Sequence, residues 1–187
     1  MRKNWAALAL TGMLCLTTFA GTQTVSAETA DSAKQVDIVF THDTHSHLNT
    51  FTTVVDDAEK EVGGFARINT LIQEQKAKNP DTLVIDGGDF SMGTLIQTVF
   101  ETQAAEIRML GYMGCDVTTL GNHEFDYRSK GLANMLNSAA ESGDDLPAMV
   151  VCNVDWESME AAGLSEGQQQ IRDAFDEYGV SDYVVLE

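Results

Sequence analysis

Short runs rich in β-branched residues alternate along this chain with longer stretches of helical period. Residues 36–41 (VDIVFT) predict a buried strand. Over 64–78, Phe65, Ile68, Leu71, Ile72 and Gln75 recur at helical spacing, and Pro80 marks the exit. Residues 82–86 (TLVID) predict a second strand, and 94–110 a second helix with Ile96, Val99, Phe100, Ile107 and Leu110 on one face. A third strand is expected over 117–120, a third helix over 131–142 and a fourth strand over 148–153. A fourth helix over 168–178, through Ile171, Ala174, Phe175 and Tyr178, stops at Gly179, and 183–186 reads as the start of another strand. Strands alternating with helices of this length imply βαβ units and a mostly parallel sheet.

The pattern differs before residue 36. Arg2 and Lys3 precede a mostly apolar stretch over 5–20, then small and polar residues and Val25-Ser26-Ala27. That order of basic, apolar and small residues is a secretory signal's, with cleavage expected after Ala27. The stretch falls short of the ~20 apolar residues a spanning helix needs and is interrupted by Thr11, Gly12, Thr17 and Thr18. The mature chain is therefore expected to carry no transmembrane segment and to be secreted, periplasmic or held at a cell surface. Residues 28–35 read as a polar linker.

The 187 residues allow one domain and leave little room for two. With 43% hydrophobic residues and only two prolines, the composition is that of a folded chain. Eleven Lys+Arg against 29 Asp+Glu give a formal net charge of −18, a field that repels nucleic-acid polymers and anionic lipid. Three cysteines are too few for a disulfide scaffold. Cys15 lies in the leader, and Cys115 and Cys152 read equally as buried thiols or as a pair permitted by export.

In open α/β sheets ligands bind beyond the carboxyl ends of the strands. The chemically loaded residues fall there three times: Asp43-Thr44-His45 after strand one, Gly87-Gly88-Asp89 after strand two, and Gly121-Asn122-His123-Glu124-Phe125-Asp126 after strand three. In an extended segment Asp43 and His45 would point to one side and could grip one cation that accepts mixed oxygen and nitrogen ligands. A polar strand end is the bland alternative. The two glycines before Asp89 allow a sharp turn and close backbone approach, though Gly-Asp turns are common. Asp86 ends its strand and more plausibly orients neighbours. The run 121–126 is far more specific: Asn122 offers a neutral oxygen to a metal, His123 could reach a substrate oxygen, and Asp126 could hold its ring. Few basic residues flank these loops, Arg128 and Lys130 being nearest in sequence. An anionic substrate would then need two divalent cations for positive charge, with Asp89 on the middle loop as the bridging candidate.

Asp43-x-His45, Gly88-Asp89 and Gly121-Asn122-His123-Glu124 together resemble the signature of calcineurin-like metallophosphoesterases, and the longer Gly-Asn-His-Glu-Phe-Asp form behind a signal peptide is similar to the exported 5′-nucleotidase branch. The resemblance covers about 36–153. It implies an α/β fold of the four-layer αββα sandwich type, incomplete in this chain, with a mixed rather than purely parallel sheet. It also implies two divalent metal ions, of which Mn, Zn and Fe are candidates, and a small-molecule phosphoester substrate, most plausibly a nucleotide. Asp43 and His45 would bind the first metal, Asp89 would bridge and Asn122 would bind the second. His123, paired with Asp126, would stabilise charge developing on phosphate while a metal-bridging hydroxide attacks phosphorus.

This sequence departs from the family in carrying His42 where Asn is usual and His47 where a small residue is usual. His42 is expected to face away from Asp43 and His45, and His47 to lie at the surface. Members complete the metal shell with later histidines, including a Gly-His-x-His segment, whereas the four histidines here all stand at or before His123. Residues 36–187 are thus expected to form the N-terminal part of a catalytic domain, with little activity alone. Within the family, 2′,3′-cyclic nucleotides or sugar diphosphates are alternative substrates. A His45-Ser46-His47 metal pair of amidohydrolase or PHP type, and a secreted binding module without catalysis, are alternatives of other classes.

Overall fold

The computed structural model describes residues 35–186. The expected signal peptide and residues 28–34 of the expected linker lie outside the described residues. In chain order, β1 (Ile38–Thr41) is followed by a hairpin of β2 (Phe51–Val55) and β3 (Ala58–Val62), then α1 (Phe65–Lys78) and β4 (Leu83–Asp86). A 3-10 segment (Leu95–Val99) leads into α2 (Phe100–Gln103) and α3 (Ala105–Tyr112), then β5 (Val117–Thr118). A second 3-10 segment (His123–Tyr127) runs into α4 (Arg128–Ala140), and β6 (Ala148–Met149), α5 (Trp156–Ala162) and α6 (Glu166–Tyr178) follow.

Four strands form one sheet in the order β1-β4-β5-β6, every pair parallel. This is the α/β class that the alternating pattern predicts. The strand order advances in one direction, so right-handed crossovers place the connecting helices on the same face. On that face Val84 and Met149 meet Phe65 and Ile72 of α1, Ile107 and Leu110 of α3, Leu132, Met135 and Leu136 of α4, and Phe175 of α6. The opposite face aligns Phe40 with Ile85, Ile85 with Val117 and Val117 with Ala148. It leaves Ile38 and Phe40 more than half exposed. Among the described residues there are thus a helix layer and a sheet layer, two of the four layers expected. The only antiparallel pairing described is β2 with β3, so the mixed sheet implied by the resemblance is not met in these four strands.

Several elements depart from the periodic pattern. The hairpin departs from the pattern because every residue of its strands is exposed except the half-buried Val62, so no hydrophobic alternation marks them. Its turn is set by Asp56 and Asp57, both at positive φ (53° and 59°). The helix expected over 94–110 is broken at Ala104, whose backbone is left-handed at φ 46°, ψ 41°. Helix α5 was also unpredicted; its start is marked by Asp155, whose side chain accepts from Ser158 N–H. Residues 183–186 form no strand; a single parallel bridge, Val150 to Ser181, extends the sheet there. Cys115 is buried and Cys152 exposed, and both are free thiols. Burial pushes the Cys115 thiol up to about 12.

Candidate functional site

Strands β1, β4 and β5 are neighbours, so the three loops leaving their carboxyl ends lie side by side. Backbone bonds tie the first to the second: Asp43 N–H donates to Gly88 O (3.0 Å), His45 N–H to Asp89 O (3.1 Å) and Ser46 N–H to Phe90 O (2.8 Å). The first loop is not extended. Asp43, His45 and Ser46 all adopt positive φ, between 46° and 55°, as does Asp89 at 52°. The close approach needs glycine at two places. A Cβ on Gly88 would lie 2.5 Å from Gly121 N, and one on Gly121 would lie 2.1 Å from Asp89 Oδ1.

A buried carboxylate that sequence reasoning quoted but gave no role locks the second loop to the third. Glu124, fully buried, accepts from four donors: Asp89 N–H (3.0 Å) and Gly121 N–H (2.7 Å) on Oε2, Ser91 N–H (2.9 Å) and Ser91 Oγ (2.7 Å) on Oε1. The available signal was its place in the run 121–126, three residues past the glycine whose amide it binds. Asp86 sits under the second loop, taking Thr41 Oγ1 (2.7 Å), Gly88 N–H (2.9 Å) and Thr118 Oγ1 (3.1 Å), the orienting part expected of it. Burial raises its pKa above the usual carboxylate value.

The six site residues named from sequence form one chain of contacts. Asp43 Oδ1 lies 3.4 Å from His45 Nε2. The His45 and His123 rings meet edge-on with centroids 5.1 Å apart. His123 N–H donates to Asp89 Oδ1 (2.8 Å), and Asp126 Oδ2 lies 2.7 Å from His123 Nδ1. One ligand atom each from His45, Asp89 and His123 falls within 4.8 Å of the others. The exposed Asn122 amide lies 3.2 Å from Asp89 Oδ2, and in the orientation that satisfies both groups its NH₂ donates to that oxygen.

This donor set fits divalent cations. Carboxylate, amide and imidazole donors converging from three loops suit Mn²⁺, Fe²⁺ or Zn²⁺, and atoms of His45, Asp89 and His123 already lie within one ion's reach of each other. The neighbouring His42 imidazole, foremost, holds the Asp43 carboxyl below the usual carboxylate range. The bond to Asp126 raises His123 above the ordinary imidazole value.

Two histidines depart from their expected places. His42 does not face away: its Nδ1 contacts Asp43 Oδ2, because the left-handed turn at Asp43 breaks the strand's alternation, and its ring lies 5.5 Å from Phe40. His47 is half-buried rather than at the surface. Its ring packs edge-on against Phe51 and its Nδ1 lies 3.2 Å from Thr44 O, leaving it outside the His45, Asp89 and His123 cluster. A metal pair made of His45 and His47 is therefore disfavoured.

The calcineurin-like phosphoesterase profile matches residues 36–181. Over 110 residues the chain is 36% identical to the 5′-nucleotidase of Mus musculus, covering 57% of this chain and 19% of that protein. It is 34% identical over 107 residues to a probable 5′-nucleotidase of Treponema pallidum, covering 55% and 18%. The crystal structure of a 5′-nucleotidase precursor from Thermus thermophilus superposes with a TM-score of 0.56 at 30% identity, covering 65% of this chain and 23% of that one. The chain thus spans about a fifth of the length of these relatives. A match over nearly all of the described residues, carrying the three strand-end loops with it, places this chain in the calcineurin-like phosphoesterase family.

Proposed function

We propose that this chain is the N-terminal part of a metal-dependent phosphoester hydrolase that releases phosphate from extracellular nucleotides. The observation that carries the reading is the convergence of Asp43, His45, Asp89, Asn122, His123 and Asp126 from three separate loops. Asp43 and His45 would hold one divalent cation, Asp89 would bridge to a second and Asn122 would help hold that one. When bound, such ions acidify a water and neutralise charge on phosphoryl oxygens. The site residues themselves include no lysine or arginine, so a chain of net charge −18 admits an anionic substrate only with that help.

His123 acts on substrate through Nε2, since Nδ1 is taken by Asp126. The bond to Asp126 favours the protonated ring, and its Nε2–H donates to a phosphoryl oxygen or to the leaving oxygen. Asp126 fixes the ring's orientation and favours the imidazolium. The left-handed turns and the Glu124 bonds hold these groups in place before substrate arrives, which lowers the cost of ordering them in the reaction. Residues 1–27 would direct export, and no described helix is long and apolar enough to cross a membrane.

Manganese titration followed by thermal unfolding tests the site. At about one hundred times Kd a ligand stabilises by ~2.7 kcal/mol, roughly 5–10 °C in Tm for a domain of this size. The Asp89→Asn variant should lose that rise. An unchanged Tm of the complete protein at millimolar Mn²⁺ would refute the metal assignment. Phosphate release from AMP, compared with 2′,3′-cyclic nucleotides, by the complete protein then decides the substrate class.

A further inference from the structure

Beneath the first loop lies a carboxylate that no motif accounts for. Glu106, in the first turn of α3, is fully buried. Removing a carboxylate from water is costly, so a buried one needs compensation, part of which the helix start provides. Its Oε1 accepts from Ser46 Oγ at 2.7 Å, while Oε2 has no hydrogen-bond partner among the described residues. Ser46 is itself fully buried at φ 55°, directly after His45 at φ 46°. Two successive left-handed residues without glycine are strained and persist only where surrounding bonds over-determine them. At Ser46 all three polar groups are used: N–H to Phe90 O (2.8 Å), O from Thr94 Oγ1 (2.6 Å) and Oγ to Glu106. The side-chain bond is the one that reaches out of the loops into a helix.

We propose that Glu106 is the positioning residue of the first loop, holding the His45 turn against Asp89 and His123 through the Ser46 hydroxyl. It does for that loop what Glu124 does for the other two. The consequence for metal binding rests on the function proposed above; the geometry does not.

The experiment compares wild type with Glu106→Ala, Glu106→Gln and Ser46→Ala in this chain, by amide hydrogen exchange and by Mn²⁺ affinity. In Glu106→Ala, amides over 43–48 should exchange faster while those of β4 keep their protection, and Mn²⁺ should bind on the order of 10–100-fold more weakly. Glu106→Gln, which keeps an oxygen for the Ser46 hydroxyl, should stay within about twofold of wild type. Ser46→Ala should reproduce the alanine effect, and the double variant should add nothing to it. Unchanged exchange over 43–48 in both alanine variants, or equal loosening of β4, would overturn the proposal. If wild type binds no Mn²⁺, in this chain and in the complete protein, yet only the first loop loosens, positioning stands and the metal reading falls.

Discussion

Four of the residues around the site, Asp43, His45, Ser46 and Asp89, hold left-handed backbone that side chains avoid unless bonded into it. Asp126 does for a ring what those bonds do for the backbone: its Oδ2 sits 2.7 Å from His123 Nδ1, three residues back on a 3-10 turn. That bond is the foremost reason the imidazole pKa is raised above 6.5. Asp126→Asn keeps an oxygen near Nδ1 but removes the charge, so His123 should titrate at lower pH. NMR titration of the His123 ring in metal-free protein measures this, and an identical midpoint in both proteins would show the pairing absent in solution. By linkage, the pair's contribution to stability is full below pH 6.5 and is lost as pH rises through the raised value. That the six candidate residues meet was legible because strand-end chemistry recurs in three places. What was hidden is the local backbone. An extended reading put Asp43 and His45 together for the wrong reason, and put His42 away from Asp43, because nothing in Asp43-Thr44-His45 announces positive φ.

At the scale of elements, buried helices and strands were legible, while those lacking a buried face or broken without a breaker residue were not. The hairpin β2–β3 has Asp-Asp at its turn rather than a glycine-bearing pair, and exposed residues on both faces. Helix 94–110 contains no glycine or proline, yet Ala104 turns left-handed and separates α2 from α3. That break aims the first turn of α3, and with it Glu106, at the first loop. Opposing terms set what happens at this residue. Glycine would relieve roughly 1–2 kcal/mol of left-handed strain, lose a fully buried methyl worth ~0.8 kcal/mol and free the unfolded chain by ~0.4–1 kcal/mol. Ala104→Gly should therefore leave stability within about 1 kcal/mol of wild type. Ala104→Val adds two methyls in a filled core and a branch the left-handed region resists, and should cost about 2 kcal/mol or more. Urea unfolding of both measures the contrast; equal losses would mean that the turn is not held in solution.

Across the whole molecule, acidity is arranged in two ways. Exposed carboxylates such as Asp43 and Glu61 are held below their usual pKa by their partners, and they contribute stability above about pH 4 that is lost as pH falls. Buried ones beneath the site behave oppositely. Burial, foremost, raises the pKa of Glu106 above 4.5, helped by the charge of nearby Glu124, and burial raises Asp86 likewise. Between 4.5 and its folded value Glu106 binds its proton more tightly in the native state than in the unfolded chain, so stability falls as pH rises through that interval. Glu106→Gln removes the titration while keeping the oxygen that Ser46 needs. The Tm of the variant should therefore match wild type near pH 4 and pull ahead as pH rises through the raised value. Measuring the difference between the two proteins cancels the opposite drift of Asp43 and Glu61, which both retain. A gap that stayed constant with pH, or closed on the alkaline side, would mean that Glu106 keeps an ordinary pKa inside the fold, and that its second oxygen has found water or a partner after all.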